Sequence, residues 1–393
     1  MVGPGFCRRP RRHGVGAALT LVFAGVLAAA VVTDTLPRVR PEEPPALSGA
    51  ARPAGGTVDR EALTEAAAEA IADGKSGTQA AEEFVSRSGD RWGAVYDSRE
   101  YQEFEQTLGG RYTGVGLSAR HAADGGVEVA DARADGPAGR AGLRAGDRLR
   151  SVDGRPVHGL SVSEVVSLLR GDGVPGSPVV LGMARGGTVW TATLKRARLA
   201  TETVTVRRLD DGAVLIRVTA FTRGAGDRVR EAVRSAPAGV GVLLDLRGNS
   251  GGLVAEAAVA ASAFLDGGLV ATYDVDGEQR AVYAQGGGDT RRPVVALIDG
   301  GTMSAAELLT GALQDRGRAV TVGARTFGKG SVQMPSALPG GSVAELTVGH
   351  YRTPAGRGVD GRGITPDLTV GDGSGPRAEE QARSVLSGLR RGS

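Results

Sequence analysis

Two almost entirely apolar segments, Val240–Leu246 and Pro293–Ile298, constrain the fold more than any other feature of the sequence. Strands without polar alternation are expected where a sheet is covered on both faces. A helical pattern follows each segment, over Leu253–Phe264 and Ser304–Gln314, and Ala319–Val322 predicts a further strand. The order strand, helix, strand, helix, strand predicts an α/β core.

Two further elements are expected after this alternation. Leu338–Tyr351 resembles a hairpin that turns at Gly340-Gly341, and Pro376–Leu389 has the pattern of a short helix. We therefore expect the core to cover residues 199–371 and a C-terminal tail to cover residues 372–393.

The segment before the core, residues 58–109, is helical in pattern. Asp59 can cap a first helix, and the pattern predicts two more over Thr78–Ser86 and Ser98–Leu108. Asp is a preferred N-cap because its carboxylate accepts hydrogen bonds from free backbone N–H groups.

The N-terminus predicts export from the cytoplasm. Gly14–Val32 carries no charged side chain and follows four arginines. A helix of this length spans roughly 28 Å, close to the hydrocarbon thickness of a bilayer, and preceding arginines favour a cytoplasmic N-terminus. Residues 1–33 therefore predict a single-pass signal anchor in the cell membrane. The small residues at Ala28-Ala29-Ala30 keep open the alternative of a cleaved signal peptide and secretion.

Composition limits the remaining possibilities. Residues 34–57 are rich in proline and predict an extended stalk. The chain holds 47 basic and 44 acidic side chains, and four of the arginines precede the apolar run, so the body is close to neutral and nucleic acid is not an expected partner. Cys7 is the only cysteine, so the body cannot contain a disulfide.

Between residues 110 and 198 the sequence changes to short strands and turns around a helical pattern at Val162–Leu169. Gly136–Asp147, followed by Asp153-Gly154, resembles a characteristic stretch of PDZ domains. PDZ domains bind a C-terminal peptide as an added strand and hold its carboxylate with backbone N–H groups. The resemblance implies that the carboxylate loop consists of Gly114, Val115, Gly116 and Leu117.

Two serines compete for the role of nucleophile. Ser250 lies in a G-x-S-x-G pattern between a strand and a helix, the context of an α/β-hydrolase elbow. That chemistry needs a histidine held by an acid, and the combination would have to be His350 with Asp299. No sequence pattern around these residues supports such a triad, and we interpret His350 as structural.

Ser304 lies between a predicted buried strand and the start of a helix, where free N–H groups and the helix dipole favour a developing oxyanion. Lys329 follows in a G-K-G turn and is one of only three lysines. A free lysine is a poor base at neutral pH, but burial lowers its pKa. A helix cap and a surface turn are ordinary interpretations of each residue alone, and only their combination points to catalysis.

Several blocks of sequence, taken together, resemble the carboxyl-terminal processing (tail-specific) serine proteases. They are distributed over roughly residues 58–370 and are Ser98–Tyr112, Gly136–Asp147, Asp245–Gly252, Met303–Glu307, Thr326–Gln333, and Tyr351–Pro354 with Gly361–Asp367. The resemblance implies an α/β (α+β) core similar to the ClpP/crotonase-like Ser-Lys fold, with an N-terminal helical segment and an inserted PDZ domain.

The same resemblance implies roles for individual residues. Ser304 would be the nucleophile, Lys329 its general base and Gln333 the residue that orients the lysine. The backbone N–H groups of Gly252 and Ala305 would form the oxyanion hole, with Gly251 the less favoured alternative. Glu307 would have a supporting role, although an exposed helical glutamate is an equally good interpretation.

The function implied is that of an ATP-independent endopeptidase that cleaves near the C-terminal tails of extracytoplasmic proteins, without a metal or other cofactor. Its partners would be peptides with free C-termini, bound by the PDZ domain, and the membrane. The sequence leaves homo-oligomerisation open.

Overall fold

The structure is a computed structural model that describes residues 58–122, 124–275, 278–371 and 375–391. The predicted signal segment and stalk lie outside the described residues. Within the described ranges, no helix combines the length and apolarity needed to cross a bilayer.

The N-terminal region contains the predicted helices and one strand that was not predicted. Asp59 caps the first helix by accepting hydrogen bonds from the N–H groups of Glu61 and Ala62. The elements are α1 (Arg60–Ala72), α2 (Gly77–Ser88), β1 (Ala94–Tyr96) and α3 (Ser98–Leu108). The strand β1 is only three residues long and forms by pairing with a distant segment, Val343–Glu345, so local sequence gives no signal for it.

The region that resembles a PDZ domain is a sheet with a helix beside its edge. Its elements are β2 (Arg111–Gly114), β3 (Leu117–His121), β4 (Val127–Ala132), α4 (Pro137–Arg140), β5 (Arg148–Val152), β6 (Arg155–Pro156), α5 (Val162–Arg170), β7 (Pro178–Arg185), β8 (Thr188–Lys195) and β9 (Ala197–Ala200). The strand order is β3-β4-β5-β7-β8, so β3 is an edge strand, and α5 packs against it. The chain enters through β2 and leaves through β9, and these two strands pair with each other.

The remaining residues form the core around two sheets. The elements are β10 (Val204–Arg208), β11 (Val214–Val218), α6 (Ala225–Ser235), β12 (Val242–Asp245), α7 (Val254–Ala261), β13 (Leu269–Val275), β14 (Glu278–Tyr283), β15 (Val294–Ile298), α8 (Ala305–Asp315), β16 (Val320–Gly323), β17 (Ser331–Ala337), β18 (Val343–Arg352), β19 (Leu368–Thr369) and α9 (Pro376–Arg391).

The predicted apolar strands lie in the middle of the first sheet. Its order is β10-β11-β12-β15-β16-β19, parallel from β11 to β19. All residues of β12 and β15 are buried, because α6, α7 and α8 contribute to a core on one face while α9 packs on the other. The expected burial of both faces is confirmed.

The second sheet differs from the expected hairpin in its extent. The turn at Gly340-Gly341 is present as a short 3-10 segment. The first strand of the hairpin, β17, begins at Ser331, seven residues before the expected start at Leu338. Strand β18 pairs with β17, β1 and β13. The sequence therefore continues directly from the Lys329 turn into a sheet that also contains the N-terminal β1.

The segment expected to be a C-terminal tail is instead integrated into the core. Ala378, Ala382 and Leu386 of α9 are buried against apolar side chains of β12, β15 and β16. The helix was predicted, but its amphipathic pattern alone did not identify the sheet face that it covers.

Candidate active site

The loops that follow β12 and β15 meet at the carboxyl edge of the parallel sheet, where α/β proteins commonly bind ligands. Two hydrogen bonds tie them together. Thr302 Oγ1 donates to the carbonyl of Leu246 at 2.9 Å, and the Met303 N–H donates to the carbonyl of Asn249 at 2.8 Å. These contacts place the glycine loop at Gly251 against Ser304: a Cβ added to Gly251 would lie 2.9 Å from the Ser304 Cβ.

A buried ion pair supports the same loop. Asp245, the last residue of β12, accepts hydrogen bonds from Arg247 and Arg217 at 2.8 Å. Burial alone would raise the pKa of Asp245, but the hydrogen bonds and charge of Arg247 more than offset this and lower it. Asp245, Arg247 and Asn249 set the position of the glycine loop through these contacts, and their sequence pattern alone did not indicate this role.

Ser304 is buried immediately before α8 and has an unfavourable backbone conformation. Its φ is 53° and its ψ is −117°, and Asp153 is the other non-glycine residue with positive φ among the described residues. Such conformations cost about 1–3 kcal/mol and persist only where surrounding contacts impose them. The Ser304 N–H donates to Glu307 Oε2 at 2.9 Å, and its carbonyl accepts from the Tyr351 hydroxyl at 3.0 Å.

Glu307 is fully buried, so the alternative of an exposed helical glutamate is wrong. Its carboxylate accepts four hydrogen bonds. Oε1 accepts from the Thr326 hydroxyl at 2.5 Å and from the Gly328 N–H at 2.7 Å, and Oε2 accepts from the N–H groups of Ser304 and Lys329, both at 2.9 Å. Burial raises the pKa of Glu307, and these hydrogen bonds oppose the rise.

The shared oxygen brings two distant parts of the chain together. Because the N–H groups of Ser304 and Lys329 bind the same Glu307 oxygen, their nitrogens are no farther apart than the sum of the two bond lengths. Glu307 thus joins the start of α8 to the G-K-G turn.

The Lys329 side chain is completely buried, and its amine has no hydrogen-bond partner among the described residues. Nζ lies 4.7 Å from the centre of the Trp92 ring. Burial lowers the pKa of Lys329 to about 8, while the charges of Glu345, Asp90 and Asp360 oppose this decrease. An amine with this pKa is partly neutral near neutral pH and can accept a proton.

Gln333 is also buried, but its amide does not bind the lysine in this structure. Its Nε2 donates to Ser331 Oγ at 2.7 Å and to Thr347 Oγ1 at 3.2 Å. Its Oε1, like the Lys329 amine, lacks a hydrogen-bond partner within the described ranges. A free acceptor and a free donor therefore both lie in this part of the core.

The glycine loop and the start of α8 both present unpaired N–H groups. The Gly251 N–H donates to Asn249 Oδ1 at 2.9 Å. By contrast, the N–H groups of Gly252 and Ala305 have no acceptor among the described residues. Gly252 has a φ of 128°, and a Cβ there would lie 2.5 Å from the Phe221 carbonyl oxygen, so only glycine fits.

The alternative triad is not assembled. His350 Nε2 lies 3.5 Å from Asp360 Oδ2, whereas Asp299 accepts hydrogen bonds from the N–H groups of Gly248 and Gly301. Ser250 is half-buried in the glycine loop. The histidine and acid that this mechanism requires are thus engaged with different partners.

The expected carboxylate loop connects β2 to the edge strand β3. Val115 is buried, and Gly116 has a φ of 75°. The carbonyls of both residues accept hydrogen bonds, from Ala138 and Arg133, whereas their N–H groups have no acceptor within the residues that the structure describes.

Comparison with known proteins identifies the family. The model of peptidase family S41 matches residues 213–370, and a PDZ domain model matches residues 128–183. The carboxyl-terminal-processing protease of Synechocystis sp. is 32% identical over 302 residues, which cover 74% of this chain and 70% of that protein. The chain belongs to peptidase family S41.

One further relative and one solved structure are also similar to this chain. The carboxy-terminal processing protease CtpA of Bacillus subtilis is 30% identical over 284 residues, and this match covers 71% of the chain but only 60% of the relative's length. A crystal structure of an S41 protein from Bacteroides fragilis has the same fold, with a TM-score of 0.52 and 17% identity, over 79% of this chain and 90% of that one. The resemblance to carboxyl-terminal processing proteases with an inserted PDZ domain is confirmed.

Proposed function

We propose that the chain is an ATP-independent serine endopeptidase that cleaves near the C-terminal tails of extracytoplasmic proteins, with Ser304 as nucleophile and Lys329 as general base. The observation that carries the proposal is the Glu307 carboxylate, which binds the backbone of both residues through one oxygen. The lowered pKa of the buried Lys329 supports its role as a base.

In the acylation step, Ser304 Oγ attacks the scissile carbonyl while its proton passes to neutral Lys329. The resulting oxyanion would accept hydrogen bonds from the N–H groups of Gly252 and Ala305, which are otherwise unpaired among the described residues. The lysine ammonium then gives the proton to the departing amine as the C–N bond breaks. In deacylation, water attacks the ester, and Lys329 takes the proton of that water and returns it to Ser304.

Gln333 would orient the lysine in the reacting state. Its free Oε1 is an acceptor, and the Lys329 amine is a donor without a partner among the described residues, so a side-chain rotation that joins them would satisfy both. This chemistry requires no metal or cofactor.

The PDZ region, which we place at residues 110–198, would dock the substrate tail. Strand β3 has a free edge beside α5, which suits the addition of a peptide strand. The unpaired N–H groups of Val115 and Gly116 are suited to bind the terminal carboxylate, with Gly114 and Leu117 completing the loop.

We also propose boundaries for the other parts of the chain and a role for its N-terminus. The N-terminal helical part would cover residues 58–109 and the Ser-Lys core, of ClpP/crotonase-like type, residues 199–371. Residues 1–33 would anchor the enzyme in the membrane or direct its secretion. Homo-oligomerisation stays open.

The test is cleavage of an unfolded protein that carries an apolar C-terminus. Ser304→Ala and Lys329→Ala should each reduce the rate by at least about 10³-fold, because each removes a group needed for proton transfer and attack. His350→Ala is the matched control and should retain the wild-type rate. Labelling with a serine-reactive phosphonate, followed by peptide mapping, should modify Ser304. Modification of Ser250 instead, or full activity of Ser304→Ala, would refute the proposal.

A further inference from the structure

Glu345 is a buried carboxylate to which the proposed reaction gives no role. It lies on β18, opposite Ala94 of β1 and Pro335 of β17. None of its surface is exposed, and neither carboxylate oxygen has a hydrogen-bond partner among the described residues. A buried charged group without a partner is so costly that a nearby complementary group is expected.

Strand geometry places Glu345 on the same face of the sheet as Gln333. Alternate residues of a strand share a face, and so do residues directly paired across antiparallel strands. Glu345 therefore shares its face with Thr347, and Thr347 is paired with Gln333 and hydrogen-bonded to it at 3.2 Å.

The Lys329 amine contacts a residue that is anchored beside this part of β18. It rests over Trp92, and Trp92 lies in the chain between Asp90 and Ala94. The Asp90 carboxylate binds the Thr347 N–H at 2.7 Å, and Ala94 is paired with Glu345. The backbone of Trp92, whose ring contacts the amine, is thus held between the levels of Thr347 and Glu345.

An amine and a carboxylate, both buried and both without hydrogen-bond partners in the described part of the chain, therefore lie in one region. We propose that Glu345 is a positioning residue for the reaction proposed above: its carboxylate faces the Lys329 amine and stabilises the ammonium ion that forms when Lys329 takes the Ser304 proton. The inference rests on the proposed function of Ser304 and Lys329.

The titration of both groups agrees with this arrangement. Burial raises the pKa of Glu345 to about 7, and Lys329 opposes the rise. Among the charges that raise the pKa of Lys329, that of Glu345 is the largest, followed by those of Asp90 and Asp360. Tyr96 and Tyr101 also face Glu345, and burial raises the pKa of each to about 12, so both stay neutral at working pH.

Two ionisable groups that interact strongly titrate as a coupled pair, and the charges of Lys329 and Glu345 act on each other. At low pH, Glu345 is neutral and leaves the lysine unaffected. As Glu345 ionises, it holds the proton on Lys329, so the rise of activity with pH extends over both ionisations. Without the carboxylate the rise should be a single ionisation with a lower midpoint.

Lysine NMR measures the Lys329 pKa directly and without reference to activity. The chain contains only Lys75, Lys195 and Lys329, so labelling lysine with ¹³C at Cε gives few signals, and loss of one in Lys329→Met assigns it. Glu345→Gln, which keeps the shape of the side chain, should lower the Lys329 pKa by about one unit. Glu345→Asp retains the charge and should leave the pKa closer to the wild-type value.

Glu105→Gln is the matched control. Glu105 is exposed on α3 and has only a minor effect on Glu345, so water should screen its charge from Lys329. Its removal should leave the Lys329 pKa unchanged. The pH profile of kcat/KM should agree with the NMR, with a steeper acid limb and a lower midpoint for Glu345→Gln than for the wild type.

A Lys329 pKa that is the same in the wild type and in folded Glu345→Gln would overturn the inference. If that variant does not fold, the wild-type titration decides: two inflections at the Lys329 signal support coupling, and a single inflection refutes it. Activity in Ser304→Ala would contradict the proposed function but leave the measured coupling intact, so the two failures can be distinguished.

Discussion

Glu307 and Glu345 are both fully buried close to Lys329, but their carboxylates differ in the hydrogen bonds that they accept. Glu307 accepts four hydrogen bonds, three of them from backbone N–H groups, whereas Glu345 accepts none from the described residues. Glu307 therefore fixes the path of the main chain, and Glu345 acts only through its charge. The comparison shows that burial alone does not define the role of an acidic residue, because the donors around it determine whether it organises structure or tunes a neighbour.

The largest difference between the two glutamates should appear on conversion to glutamine. In Glu307→Gln the new amide donates hydrogen bonds, so in either orientation at least one backbone N–H loses its acceptor. We expect the free energy of unfolding to fall by roughly 3–5 kcal/mol. Denaturant unfolding at pH 7 measures this change.

Glu345→Gln is the matched comparison, and it should raise the free energy of unfolding at pH 7 by roughly 2–3 kcal/mol, because no hydrogen bond is lost and the pKa of Glu345 rises from 4.5 to about 7 on folding. Equal destabilisation by the two substitutions would contradict the assignment of different roles.

The next prediction concerns the effect of the buried Lys329 amine on stability. Lys329→Met should abolish activity but raise the free energy of unfolding at pH 7 by roughly 3 kcal/mol, since the pKa falls from 10.5 to about 8 on folding. A lowered lysine pKa means that the unfolded chain binds the proton more tightly. The penalty is therefore complete below pH 8 and disappears as the pH rises to about 10.5.

Unfolding of wild type and Lys329→Met at pH 7, 9 and 10.5 tests this prediction. The difference between the two proteins should shrink steadily over the series. A difference that does not depend on pH would show that the ammonium ion is not desolvated in the folded protein.

The smallest effect concerns the strain at Ser304, whose N–H is held by Glu307. Glycine tolerates a φ of 53°, whereas alanine does not, so Ser304→Gly should be more stable than Ser304→Ala by about 1 kcal/mol. Thermal unfolding of the two inactive variants gives the comparison. The advantage should disappear in the Glu307→Gln background if Glu307 imposes the conformation.

The sequence predicted the parts of this site that local patterns encode. Continuous apolar runs identified β12 and β15. Ser304 and Lys329 were predicted to act together because each lies in a sequence block that resembles the same protease family. Glu307 was recognised but left between two interpretations, because its four donors come from residues up to 22 positions away. Glu345 and Trp92 gave no signal, since their relation to Lys329 exists only after β1 and β18 have paired.

The contact between Trp92 and the lysine amine has a consequence for how the catalytic unit is defined. The S41 family match covers residues 213–370, but the ring that packs against the proposed base comes from Trp92, which lies more than one hundred residues before the start of that match. Asp90 fastens the loop that contains Trp92 to β18. A fragment cut at the boundaries of the family match would leave the amine open to solvent on this side, so the peptidase is not a self-contained module, and the segment that precedes the inserted domain belongs to the proposed catalytic centre.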